Sequence, residues 1–214
     1  MNAVPVITKR KTQSLKTRGQ ILEAALRIFG EKGFDATSVR EIAGSVGVNH
    51  ALIRHHFQNK EELWKEAVTF LFDRMQIELS VEPGSEDQLS EFEKLKNRIR
   101  RYVRYCARHP EHARIMVQQS IHGSELFRWM VKSFVAPQHR AGNKTMSAHI
   151  ADGIWPDADT ISLTYILVAA AQMPFVLSQE IEEIYGTDTH DCQWVERHAE
   201  AIINLFFEHR VDVK

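Results

Sequence analysis

Cysteine is scarce in this chain. Cys106 and Cys192 are far apart and lack CxxC spacing, so neither a disulfide framework nor a zinc ribbon is indicated. Proline and glycine are also sparse, six and ten, and fall mainly between periodic segments rather than at strand-like intervals. No run approaches the roughly eighteen uninterrupted apolar residues of a membrane span. The opening stretch from Met1 to Gln13 is mixed, then basic at Lys9, Arg10 and Lys11, without the apolar core of a secretory signal. HEXXH, a Gly-rich phosphate loop and GxSxG are all missing. Together these absences argue against a secreted, membrane-bound or enzymatic protein. The expectation is a cytoplasmic chain without cofactor or membrane partner.

What is present is helical periodicity on enough apolar material, 43% of residues, to bury a core. Ile21, Leu22, Ala25, Leu26 and Phe29 form one stripe, predicting a first helix from about Leu15 to Glu31 with Gly33 as its stop. Ser38 and Glu41 have capping-box spacing before a short helix that buries Val39, Ile42, Ala43 and Val46. Gly47 can take a bend, and Asn49 is a good N-cap for a third helix, Ala51 to Phe57. That helix turns His50, Ala51, Arg54 and His55 outward. Two short helices joined by a glycine-containing turn suit a helix-turn-helix motif, and equally suit any small helical domain with a tight turn. Charge is also divided. Up to Lys65, eleven lysines and arginines against six acids leave +5, while sixteen against twenty-two in the remainder leave −6. A basic head on an acidic body points to a polyanion partner.

The segment Thr17 to Val68 carries Ile21-Leu22-x-x-Ala25, Phe29, Gly33-Phe34, Thr37-Ser38-Val39, Ile42-Ala43, Gly47-Val48 and His56-Phe57-x-Asn59-Lys60-Glu61-x-Leu63. In these elements it closely resembles the DNA-binding domain of the TetR/AcrR family of bacterial regulators. The resemblance implies an all-α fold: a three-helix helix-turn-helix head followed by a larger helical ligand-binding and dimerisation domain. It implies a DNA-binding set of Thr37, Ser38, Arg40, Asn49, His50, Ala51, Arg54, His55, His56 and Lys60, with the third helix in the major groove. Arg54 stands where most members have Tyr, and Arg can serve the same phosphate. The organisation expected is a flexible basic arm over 1–15, a head over 16–65 and a regulatory body over 66–214.

In the body the pattern predicts a fourth helix, Asn59 to Ser80, that links head and body. A loop follows at Val81 to Ser85. The fifth helix ends at Pro110 and is crowded with Lys94, Lys96, Arg98, Arg100, Arg101, Arg104 and Arg108, read as a solvated face partly paired with acids or as a seat for an anion. Helices follow from Pro110 to His122 and from Ser124, the latter kinked or ended by Pro137. An apolar helix is predicted over Thr160 to Glu183 and a last one over Asp191 to Arg210. By resemblance the last two dimerise, with Ala169, Ala170, Ile202 and Phe206 at the interface. The family's ligand site suggests Tyr102, Met116, Gln119, Trp129, Met173 and Phe175. The function expected is a homodimeric repressor on a palindromic double-stranded operator, released by a small, largely apolar molecule. Eleven histidines, among them His55-His56, His109 and His112, keep a metal-responsive regulator as an alternative, although no Cys/His/Asp/Glu set has zinc spacing. A helical protein-interaction module is the other.

Overall fold

The structure, a computed structural model, describes residues 9–207, with side chains from residue 13 onward. Every regular element among the described residues is helical. Two compact units divide the chain, Met1–Phe72 and Asp73–Lys214, the division falling later than the expected 65/66. The first eight residues of the expected arm lie outside the described residues. From Lys9 the backbone is already helical.

In the first unit α1 (Lys9–Ala36) is interrupted at Gly33, whose φ of 81° and ψ of 170° suit a residue without Cβ. Its stripe of Ile21, Leu22, Ala25, Leu26 and Phe29 is buried. Phe34, just past the break, stacks on Phe29 and meets the edge of the buried Trp64. Next come α2 (Val39–Ser45) and α3 (His50–Phe57). The Oγ of Ser38 accepts the Glu41 amide at 3.1 Å, and Asn49 Oδ1 accepts the Ala51 amide at 2.8 Å, so both predicted N-caps are made. Between the two helices, Val48 N–H donates to Ala43 O and Gly47 N–H to Gly44 O. With Gly47 at φ 67°, this is a Schellman closure that satisfies carbonyls the helix leaves open. α4 (Lys60–Leu79) buries Leu63, Trp64, Ala67, Val68, Leu71 and Phe72.

The second unit is built on α5 (Glu91–Arg108), whose Leu95, Ile99, Val103 and Cys106 share a face at helical spacing. Their core continues through Trp155, then Leu163, Ala171 and Phe175 of α9 (Thr160–Val176), and Val195, Ala199, Ile202, Ile203 and Phe207 of α11 (Cys192–Phe207). α6 (Pro110–His122) opens on proline, with the bounds expected, and closes on Gly123 in the left-handed region. The predicted end of the last helix at Arg210 lies outside the described residues.

Two expectations are corrected. Pro137 neither ends nor breaks its helix. α7 (Glu125–Met130) passes through a π turn over Val131–Val135 into α8 (Ala136–Ala151). Ala136 N–H donates five residues back to Val131 O, a widened register that absorbs the donor proline lacks. Conversely, the continuous helix predicted over Thr160 to Glu183 is two. α9 and α10 (Ser178–Tyr185) are bent by 67°. Pro174 removes the N–H that would serve Ala170 O, and His198 Nε2 of α11 takes that carbonyl at 2.8 Å. Among the described residues no single helix is long and apolar enough to cross a membrane. The bent α9–α10 pair passes that test only together.

Candidate nucleic-acid interface

α3 presents a polar outer face. Ile53 and Phe57 are buried beneath it, Ala51, Arg54 and His55 are exposed, and His50 is half-buried. Arg40 projects from α2 and is exposed. Among the described residues no ion pair or hydrogen bond engages the side chains of Arg40, His50 or Arg54. Two of these, His50 and Arg54, stand on a hollow of about 300 Å³ that Val39, Ile53, Gln58 and Asn59 also line.

The rest of the predicted set is more constrained. Thr37 needs correction as a side-chain contact. It is 2% exposed and its hydroxyl donates to Gly33 O at 2.7 Å. A buried hydroxyl must find an internal acceptor, and here the interrupted helix supplies one. Ser38 and Asn49 are exposed and serve as caps. The Ser38 hydroxyl spends an acceptor on Glu41 and retains its proton for an outside acceptor. Lys60 Nζ donates to Asp35 O at 3.1 Å and lies 4.5 Å from the Phe34 ring centre, leaving donors for a phosphate. His56 is half-buried beside His55 and Phe57. Burial first, then the neighbouring His55 and Arg18 charges, hold its pKa below the usual histidine value, so it offers a neutral N–H.

Gln58 was not anticipated. Its φ of 59° and ψ of −59°, with Asn59 N–H donating to Phe57 O at 2.6 Å, form a tight γ-turn of the strained hand. No local sequence signal marks it, since glycine is the residue such a turn favours.

In the second unit a cavity of about 290 Å³ lies among residues of α4, α5, α8 and α9, with Trp155 in its wall. Tyr102 is the member of the predicted ligand set that lines it, and its Oη accepts Gln172 Nε2 at 2.8 Å. Phe175 is a core residue packed on His190, Trp194 and His198. Gln119 is buried and accepts Ser124 Oγ at 3.1 Å. Trp129 packs edge-on to Phe134. Met116 and Met173 are half-buried and, like these three, line other parts of the unit than the cavity. His139, His149 and Leu167, which do line it, were not predicted, and Arg98, which also lines it, was singled out only as one of seven bases on α5, because spacing along one helix does not say which neighbour its face meets.

The predicted dimer residues also divide. Ala169 is exposed and Ala170 half-buried, but Ile202 is 3% exposed within the protomer core, and Phe206 packs against Trp155 and Phe207. On these two helices the large apolar side chains left outward are Ile161, Tyr165 and Ile166 of α9 and Leu205 of α11, each more than half exposed, as are Ile77, Ile121, Ile184 and Tyr185 elsewhere in the unit. Among the described residues no group of three His, Cys, Asp or Glu is placed to hold a metal. Burial pushes the Cys106 thiol up to about 12, which makes it a poor thiolate donor.

Residues 21–67 match the family described as bacterial regulatory proteins, tetR family. The probable HTH-type transcriptional regulator YttP of Bacillus subtilis is 23% identical over 188 residues, covering 88% of this chain and 91% of that protein. The HTH-type transcriptional repressor KstR2 of Mycobacterium tuberculosis is 41% identical over 56 residues, 26% of this chain and 28% of its own length. Among solved structures, AibR in complex with isovaleryl coenzyme A and operator DNA superposes with a TM-score of 0.69 at 18% identity, covering 89% of this chain and 97% of that one. The structure of KstR2 gives 0.65 at 19% identity, covering 89% and 94%. At such identity these two carry the fold alone.

Proposed function

From the match of residues 21–67 to the tetR family and the similarity to a regulator over 88% of the chain, we propose that the chain is a transcriptional regulator of that family rather than an enzyme: a cytoplasmic homodimeric repressor of a palindromic operator, released by a small, largely apolar ligand. The observation that carries the DNA-binding part is the front of α3. Arg40 and Arg54 are exposed and His50 half-buried, none of their side chains has an ion pair or hydrogen bond among the described residues, and the small, exposed Ala51 beside His50 leaves room for a base edge. Arg40 and His50 read bases in the major groove, where an arginine fork matches the acceptors of guanine. Arg54 and Lys60 neutralise phosphates, while Ser38 and His56 add uncharged hydrogen bonds. Each monomer contributes one half-site, as two-fold symmetry requires.

Dimerisation is supported by the outward apolar stripe of Ile161, Tyr165, Ile166 and Ala169 on α9 and by the exposed Leu205 on α11. Effector binding is supported by the cavity in the second unit, and by AibR, whose structure holds isovaleryl coenzyme A. α4 gives the coupling a physical route: Leu63 and Trp64 lie in the core of the head, and Met75 and Leu79 line the cavity. A ligand that favours one position of α4 shifts the population toward it.

Selection of bound sites from random duplex DNA, followed by titration of the winner at several salt concentrations, tests the reading. Two neutralised phosphates per head, four per dimer, give a slope of about −4 in log K against log salt. Recovery of a palindrome with such a slope supports a dimeric reader. Failure to enrich any sequence would remove it.

A further inference from the structure

Seven bases crowd α5, and six have a carboxylate. Lys94 pairs with Glu91, Lys96 with Glu93, Arg100 with Glu200, Arg101 with Glu86, Arg104 with Glu196 and Arg108 with Glu78, all at 2.5 to 2.8 Å. Arg98 is the exception among the described residues, and it stands on the wall of the cavity of about 290 Å³. No aspartate or glutamate lines that cavity. Its ionisable groups are Arg98, His139 and His149, which carry positive charge or none, and Tyr102, whose phenol burial pushes well above its ordinary value and keeps neutral. Glu91, whose carboxylate senses Arg98 and His149, is hydrogen-bonded by Lys94 at 2.8 Å. The remaining wall is largely apolar, with Leu79, Leu95, Trp155 and Leu167 among its members.

An apolar hollow with an exposed arginine on its wall, no carboxylate on that arginine among the described residues and no acid in its lining has a definite complement. We propose that the cavity takes a monocarboxylate on an apolar chain, its carboxylate seated on Arg98 and its chain laid against Leu79, Leu95, Trp155 and Leu167. This rests on the reading of the cavity as the effector site and deepens it by giving the effector's chemical class. The guanidinium fork matches a carboxylate bidentately. A neutral ligand of the same length leaves that fork unused, and a cationic one is repelled by every charge the wall can bear. The volume lies at the small end for ligand cavities, which suits a chain of moderate length.

The test is calorimetric titration of the full chain with decanoate, 1-decanol and decyltrimethylammonium. Decanoate should bind at least ~10-fold more tightly than the alcohol, as expected for a charge-assisted bidentate contact, with the ammonium weakest. Arg98→Gln should abolish that gap by weakening decanoate alone, and Arg98→Lys should keep part of it. Since Arg98 has no ion pair or hydrogen bond among the described residues, Arg98→Gln should melt at the wild-type temperature. Equal binding of acid and alcohol, undiminished decanoate binding by Arg98→Gln, or no binding by any of the three would overturn the assignment. Titrating the selected operator with and without decanoate keeps the two readings apart. Anion preference without release of DNA upholds the carboxylate site and removes the release mechanism. Operator binding without anion preference removes the carboxylate site and leaves the DNA-binding reading standing.

Discussion

The Pro174–His198 pair allows a prediction that isolates one hydrogen bond. Pro174 lies inside α9 and has no N–H, so Ala170 O is left without its usual partner four residues on. His198 Nε2 supplies the substitute at 2.8 Å, while its ring stacks on Trp194 with centres 4.9 Å apart and meets the edge of Phe175. Phenylalanine at 198 preserves the ring contacts and deletes the donor. An orphaned buried acceptor costs about 1–3 kcal/mol. Ala170 is half-buried, so the lower part applies, about 1.5 kcal/mol, or roughly 5 °C in melting temperature for a unit of this size. Pro174→Ala restores the N–H to the carbonyl, and in that background His198→Phe should cost only a few tenths. The double-mutant cycle, read by urea denaturation at fixed protein concentration, should therefore show a coupling of about 1 kcal/mol. Costs that add within ~0.3 kcal/mol would mean that the carbonyl is served otherwise, and the account of the α9–α10 break would fall with it.

Four further perturbations test the head and the second unit, the first two by separating structure from recognition. Arg54→Ala should leave stability within ~0.5 kcal/mol, because its side chain has no internal partner, and should flatten the salt slope of operator binding by about 2 per dimer. Thr37→Val, stripping the buried hydroxyl from Gly33 O, should do the opposite, costing about 1–2 kcal/mol on denaturation without changing that slope. Gln58→Gly should stabilise the head by about 1 kcal/mol in urea titrations, since relief of ~1–3 kcal/mol of positive-φ strain exceeds the ~0.5–1 kcal/mol entropy cost of glycine. The buried His112, whose Nδ1 meets Tyr105 Oη at 2.9 Å, is held neutral by burial with its pKa lowered to about 4. The unfolded chain then binds the extra proton between about pH 6.5 and 4, so stability should be full above that window and fall with decreasing pH, at most ~1.4 kcal/mol per unit from this group. His112→Leu should remove that component in denaturation series across the window.

The head was legible in the sequence because its signals are local. Ser38 and Asn49 sit at cap spacing, Gly47 at the one bend, and Ile21 to Phe29 on a single stripe, and each decides its own few residues. What sequence left open were choices made by distant partners. Threonine serves equally on a surface or beneath it, and only the break at Gly33 supplies the acceptor that draws Thr37 inward. Pro137 and Pro174 are the same residue with opposite outcomes, one absorbed by a π turn and the other accompanied by a 67° bend. Ile202 lies on the apolar stripe of the last helix as expected, yet that stripe meets α5 and Trp155 within the protomer, and the outward face is carried by Leu205 and its neighbours on α9. The bases of α5 gave no hint of which one lacked an acid, since four of their six partners come from α11, α4 and the loop before α5.

α8 has sixteen residues and buries none of their side chains, yet it lends Gln138, His139, Asn143, Met146 and His149 to the cavity wall. Gln138 is exposed and His139, Asn143 and His149 are half-buried, and replacement at such positions costs less than at the core residues of α5 that share the cavity, or at Met146, which packs against the core. A lineage can thus drift along α8, altering what the hollow admits, without approaching the threshold at which the protein no longer folds. For an engineer, the same asymmetry makes that helix the place to diversify when a biosensor is to be retuned to a different molecule.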